Sequence, residues 1–208
     1  MTKYFVKTPW WLKKLFPHRL WSINTKEKTI YLTFDDGPHT SATNFVLDEL
    51  RKFNAKATFF CIGKNVTANP TLYDQIIKEG HSVGNHTYNH LNGWQTDTSK
   101  YFSDIESAAS VINSDLFRPP YGRIRSSQAG LLGKYRIVMW DVLSGDFDEQ
   151  LPKEKCLNNV IKNVMPGSVV VFHDSEKAFE KLTFVLPKVL EYFTEKGFRF
   201  RRIETKWQ

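Results

Sequence analysis

The stretch Thr29-Ile30-Tyr31-Leu32-Thr33-Phe34-Asp35-Asp36-Gly37-Pro38 decides how the chain is read. Its apolar, β-branched start has the pattern of a buried strand. Its end sets two adjacent carboxylates before a Gly-Pro turn signal. Like charges repel and are costly to bury, so a cation or hydrogen-bond donors must lie close by. Successive side chains of a strand point to opposite faces, but the alternation breaks at a turn. Asp35 and Asp36 can therefore serve one site in different roles. The competing reading is a plain Asp-Asp-Gly turn that caps the next helix.

Outward from this strand, strand-like and helix-like runs alternate. Helical spacing recurs over 41–54 (Phe45, Val46, Leu47, Leu50 and Phe53), 70–79, 97–113, 126–133, 152–164 and 178–196. Strand patterns fall at 57–62, 81–84, 116–118, 136–141, 168–172 and 198–203. Alternation implies parallel pairing with helices outside the sheet. The 208 residues suit one domain but are few for an eight-fold barrel, which needs about 250. The expected fold is α/β: a single-domain, irregular (β/α) barrel of about seven strands, with an open doubly wound sheet as the alternative. Polar residues end several strands (Asp35-Asp36, Arg118, Asp141, His173-Asp174), which suits a barrel mouth better than one switch point. Residues 1–28 are expected to pack on the barrel, and 29–208 to form it.

At 41% hydrophobic and 14% aromatic residues, the chain is not a disordered one. The net charge of +7 permits an anionic partner, but no continuous basic stripe or nucleic-acid motif accompanies it, so none is expected to be nucleic acid. Cys61 and Cys156 read as buried free thiols. Met1 to Leu20 lacks the apolar core of a signal peptide, and no stretch is apolar enough to span a membrane. Cytoplasm is the default expectation, with export or peripheral membrane association as alternatives. The segment Trp10-Trp11-Leu12-Lys13-Lys14-Leu15-Phe16 has the composition of a weak membrane-surface contact, but its aromatics are expected to pack across an open end of the domain.

Four further stretches carry chemistry. In Gly84-Asn85-His86-Thr87-Tyr88-Asn89-His90, the two histidines are four apart, and on a helical turn both could reach one ion. Two His and one Asp suit Zn²⁺, or Co²⁺, Mn²⁺ or Ni²⁺, and leave coordination positions open, as in a catalytic site. Phe117-Arg118-Pro119-Pro120-Tyr121-Gly122 is a rigid segment in which Gly122 allows close approach. Trp140 to Phe147 carries Asp141, Asp146 and Phe147, and Val169 to Asp174 is a buried strand ending in His173-Asp174. A histidine at that rim is a general acid or base candidate.

In this order, the five stretches resemble the polysaccharide deacetylase family, carbohydrate esterase family 4, with its nodulation-deacetylase-like homology domain. Thr-Phe-Asp-Asp-Gly and His-Thr-x-x-His are the specific pair, and the resemblance spans most of the chain. It implies a catalytic domain over 29–208 and a glycan substrate. By this resemblance Asp35 is the general base, Asp36 binds the metal with His86 and His90, and Arg118 orients the base. The Tyr121 N–H joins the metal in stabilising the oxyanion, His173 is the general acid, and Asp146 is its charged partner. Val171 stands in the wall of the acetate pocket, where the family often has Leu. Phe147 replaces the family's Trp, keeping a wall and losing an indole donor. Asp141 and Asp148 are rivals for the place given to Asp146. The implied activity is removal of N-acetyl groups from N-acetylglucosamine-containing glycans. O-deacetylation of a polymer such as acetylxylan is the alternative, and an inactive carbohydrate-binding module the third reading.

Overall fold

The expected opening strand forms β1 (Thr29–Asp35), buried along its length except for the half-buried Tyr31. In the computed structural model, which describes residues 4–205, β1 is the centre of the sheet. It pairs in parallel with β2 (Thr58–Cys61) on one side and β7 (Val169–His173) on the other. The registers set Asp35 opposite Phe60 and opposite His173. Beyond β2 come β3 (Ser82–Asn85), β4 (Leu116–Phe117) and β5 (Arg136–Ile137); beyond β7 comes β6 (Val142–Leu143). A last strand, β8 (Arg199–Phe200), pairs with the start of β1. All these ladders are parallel, as the alternation of runs required.

The run expected as one strand over 136–141 is split, for a physical reason. Its first half pairs with β4 and its second half, continuing to Leu143, with β7. The Val138 N–H still bonds to Phe117, whereas the Asp141 N–H bonds to Val169. A strand that bridges the two edges of a curled sheet cannot lie straight against both. Segment 136–143 is thus a bent seam that closes an irregular barrel. The carbonyls left without ladder partners at the bend, those of Val138 and Met139, take the side chain of Arg118 instead.

Helices α2 (Thr40–Lys52), α4 (Pro70–Lys78), α5 (Thr98–Ala109), α7 (Lys153–Ile161) and α8 (Phe179–Glu195) cover the outside. Their apolar faces meet the outward side chains of the sheet. Phe34 stacks between Phe59 and Phe172, with ring centroids 5.2 and 6.0 Å away. Each such fully buried aromatic contributes roughly 2 kcal/mol of transfer free energy. The lower barrel interior is filled by Phe60, Leu116, Val138, Val169 and Ile203. Gly84 is obligatory there, because a Cβ would lie 2.5 Å from the Phe60 ring. Cys61 and Cys156 are buried free thiols, and burial raises both pKa values. No helix among the described residues is long and apolar enough to cross a membrane.

Residues 4–28 lie along the seam. Val6 and Thr8 bond to Leu143 and Asp141, Leu20 to Ile137 and Met139, and Ser22 bridges Ser168. Residues 1–3 of the same segment lie outside the described ones. Leu12, Phe16 and Trp21 pack inward. Trp10 and Trp11 do not: the expectation that they pack across the barrel end is corrected by their exposure on α1 (Trp10–Leu15). That helix, α3 (Gly63–Ala68) and β6 were not anticipated, being too short to show a period. A third short helix, α6 (Ser126–Gly130), falls within an expected one.

Candidate metal centre and active site

Asp36 does not cap the helix that follows. His39 occupies that position and accepts the Ala42 N–H at Nδ1. Asp36 instead turns its carboxylate into a cleft of about 520 Å³ at the C-terminal mouth of the barrel. One donor atom from each of Asp36, His86 and His90 lies within 4.8 Å of the others. Asp36 Oδ1 is 3.1 Å from His90 Nε2 and 3.6 Å from His86 Nε2. That oxygen is buried and makes no hydrogen bond.

The histidines are not on a helical turn, which corrects the geometry expected from their spacing. They sit on a loop after β3, with Thr87 at φ 63° and His90 at φ 56°. Left-handed backbone at a β-branched threonine is strained and persists only where neighbours hold it. Asn85 Oδ1 accepts the Thr87 N–H, and Thr87 Oγ1 accepts the Leu91 N–H. Buried Asp104 on α5 accepts the N–H groups of Tyr88 and Asn89, each at 2.9 Å, and the Asn89 side chain at 2.6 Å. Asp36 (φ 82°) and Tyr121 (φ 60°) are also left-handed. Four of the five described non-glycine residues with positive φ therefore lie at this site, a concentration of the kind that active sites and ligand clamps show.

The electrostatics fit a divalent cation. His86 Nδ1 lies 2.7 Å from the Arg118 carbonyl, so the proton is on Nδ1 and the Nε2 lone pair faces Asp36. Burial lowers the His86 pKa to about 4 despite the carboxylates nearby, so the ring is a neutral ligand at pH 7. Burial works against charge on Asp36 too, but the imidazoles of His90, His173 and His86 hold it well below the usual carboxylate range. An ionised carboxylate with an orphaned buried oxygen, facing two imidazole nitrogens, is a donor set for Zn²⁺ or a similar ion.

Asp35 is separated from Asp36 by a buried cation. Arg118 is fully buried over the Phe60 ring. Its Nη1 donates to Asp35 Oδ1 at 2.5 Å and to Thr33 Oγ1 at 2.8 Å, and its other N–H groups go to the seam carbonyls. Across the cleft, His173 Nδ1 meets Asp146 Oδ1 at 2.8 Å, and the His173 N–H donates to Asp146 Oδ2. Burial opposes charge on His173, but Asp146, with smaller contributions from Asp36 and Asp35, raises its pKa to about 9. The two rivals are engaged elsewhere: Asp141 by Lys7, Lys13 and Ser168, and Asp148 by the Tyr4 hydroxyl. Val171, Phe147 and Tyr121 also line the cleft, with Phe147 edge-on to His173 at 5.2 Å. Tyr121 follows two prolines that have no N–H, and Gly122 lets Trp140 close in, since a Cβ would lie 2.5 Å from the indole.

Three contributors were given no role by sequence reasoning. Tyr4 packs its ring against Phe147 at 5.2 Å, tilted by 52°, although it lies more than a hundred residues away in sequence. Asp104 looks like any polar helix residue. Asp174 is buried beneath Gly37, where a Cβ would collide with its carboxylate. Burial and the charge of Asp36 push its pKa up to about 8 against hydrogen bonds from Thr43 and Gly37. Its place beside His173 was the one available signal.

Comparison with known proteins gives a consistent set of likenesses. A family model described as "Polysaccharide deacetylase" matches residues 22–139. A peptidoglycan-N-acetylglucosamine deacetylase from Bacillus cereus is 37% identical over 188 residues, covering 86% of this chain and 88% of that protein. A chitooligosaccharide deacetylase from Azorhizobium caulinodans is 34% identical, over 73% of this chain and 76% of the relative. Among solved structures, the Bc1960 peptidoglycan N-acetylglucosamine deacetylase, in complex with 4-naphthalen-1-yl-N-oxidanyl-benzamide, superposes with a TM-score of 0.86 and 31% identity. That match covers 94% of this chain and 95% of the other.

Proposed function

The chain belongs to the polysaccharide deacetylase family, and from that premise we propose that it is a metal-dependent hydrolase removing N-acetyl groups from N-acetylglucosamine-containing glycans. The observation that carries the reading is the division of labour between adjacent carboxylates: Asp35 on Arg118, Asp36 on the two histidines. The names of the relatives support an N-acetylated glycan of the peptidoglycan or chitooligosaccharide kind.

Asp36, His86 and His90 would hold the ion, which supplies a Lewis acid for the acetyl carbonyl and acidifies water. Asp35 takes the proton of the attacking water, since the buried Arg118 guanidinium fixes one of its oxygens. The Tyr121 N–H, at the cleft, would donate to the oxyanion, a role worth about 3 kcal/mol where it has been measured. His173 delivers a proton to the leaving amine. Its pairing with Asp146 keeps it protonated at neutral pH, as an acid must be. Phe147 and Val171 wall the space for the acetate methyl, and exposed Tyr121 and Trp94 offer faces for sugar rings.

The test is acetate release by the zinc-loaded protein from N-acetylated chitooligosaccharides and from acetylxylan, with Asp35→Asn alongside. Release from the chitooligosaccharides that Asp35→Asn abolishes is expected. Release from acetylxylan alone would move the assignment to O-deacetylation, and unchanged turnover in Asp35→Asn would overturn the mechanism.

A further inference from the structure

The charge of this chain is not spread along it. Residues 1–26 hold six Lys or Arg and no Asp or Glu, whereas the remainder holds 23 and 22. Nearly all of the net +7 therefore resides in the first 26 residues, and five of the six cations lie in the described part that follows the seam. The same segment exposes four large apolar side chains: Phe5 at 58%, Trp10 at 70%, Trp11 at 49% and Leu15 at 62%. They form one face. Phe5 and Trp11 rings meet edge-on at 6.5 Å, Leu15 lies one turn beyond Trp11 on α1, and Lys14 sits over the Trp10 ring at 5.0 Å. Phe5 follows Tyr4, which lines the cleft, so the face begins at the rim of the active site.

We propose that this face seats the protein on the surface of an anionic phospholipid bilayer. Indoles beside lysines, with no acidic residue in the segment, combine the two attractions that hold peripheral proteins at a charged interface. Leu12 and Lys13 anchor this six-residue helix, but the two tryptophans on its outer side have no such use, since large aromatics are normally buried for stability. Charge favours lipid over a second copy of the chain. Lys7 and Lys13 are paired with Asp141, but two such faces would still bring together Lys14 and its neighbouring cations Arg19 and Lys26 from each copy, with no acidic residue of the segment to meet them.

The experiment is co-sedimentation of the intact protein with vesicles of phosphatidylcholine alone or mixed equally with phosphatidylglycerol, at about 0.1 M salt. Tryptophan emission is followed in parallel. Binding to the mixed vesicles with a blue shift, and little binding to phosphatidylcholine, is expected. Trp10→Ser with Trp11→Ser should lower the partition coefficient about tenfold or more while leaving the melting curve unchanged. Lys14→Glu should lower it on anionic vesicles by at least about fivefold. Failure of the wild type to bind, or equal binding by wild type and the tryptophan variant, overturns the proposal. So does a dimer in sedimentation velocity that the tryptophan variant dissolves, or tight binding of a single-stranded oligonucleotide that displaces vesicles.

Discussion

Replacing Asp146 by Asn keeps the shape of that side chain and one acceptor for His173, while removing the charge and the second of its two acceptors. Both partners lie inside the cleft wall, Asp146 fully buried, so little solvent screens the pair. With the carboxylate present the imidazole titrates at about 9, well above its ordinary 6.5. Without it, the burial that opposes protonation is left largely unanswered, and the value should fall to 6.5 or below. At pH 8 a group titrating at 9 is about nine-tenths protonated, and one at 6.5 about 3%, so the supply of acid drops about 30-fold. A bound dication offsets Asp36 and lowers the starting value somewhat, but the larger contribution of Asp146 stays. The assay is kcat/KM for acetate release against pH. The alkaline limb should move toward acid by about two units in Asp146→Asn, with activity near pH 6 affected far less. The same pairing contributes to folding. The folded-state pKa is raised, so the contribution is complete below pH 6.5 and lost as pH rises through about 9, at roughly 3 kcal/mol. An alkaline limb that superimposes on that of the wild type would refute the role given to both residues.

Asp104→Ala removes three hydrogen bonds from the strained histidine loop and should weaken zinc binding about 10- to 100-fold, with activity recovered in excess zinc. Unchanged affinity in a competitive chelator titration would mean that the loop holds itself. Arg118→Met leaves Asp35 buried without its cation and should cost about 3–5 kcal/mol in urea denaturation, alongside loss of turnover. A loss under about 1 kcal/mol would contradict that account. Gly84→Ala drives a methyl into the Phe60 ring that supports Arg118, so a stability loss of about 1–3 kcal/mol should be accompanied by lower kcat. Wild-type melting would show that the ring can move aside.

Much of this molecule was legible in order along the chain, because a parallel barrel writes itself as alternating periods. The long helices and β1, β2 and β7 carry enough residues to show their pattern, and the ends of those strands display the polar residues that meet at the mouth. What stayed hidden depends on contacts without a local signal. The split at 136–143 depends on two distant strands, each claiming half of one run. His86 and His90 converge through left-handed backbone that no spacing rule encodes. Tyr4 reaches the cleft only because its segment follows the seam. Trp10 and Trp11 read as core residues by composition, and only the fold shows that their side of α1 faces outward.

The seam has a consequence for how the barrel and its chemistry form. The guanidinium of Arg118 is held by carbonyls that exist as free acceptors only once segment 136–143 has joined β4 on one side and β7 on the other. Until that happens, only Thr33 Oγ1 and the Phe60 ring hold the group that fixes Asp35. Closure of the ring and full alignment of the proposed base would then go together, through contacts far apart in sequence. Hydrogen exchange at the amides of Val138 and Asp141 would thus report on catalytic readiness as directly as on folding, and a locally opened seam would be an inactive protein with its metal ligands still in place.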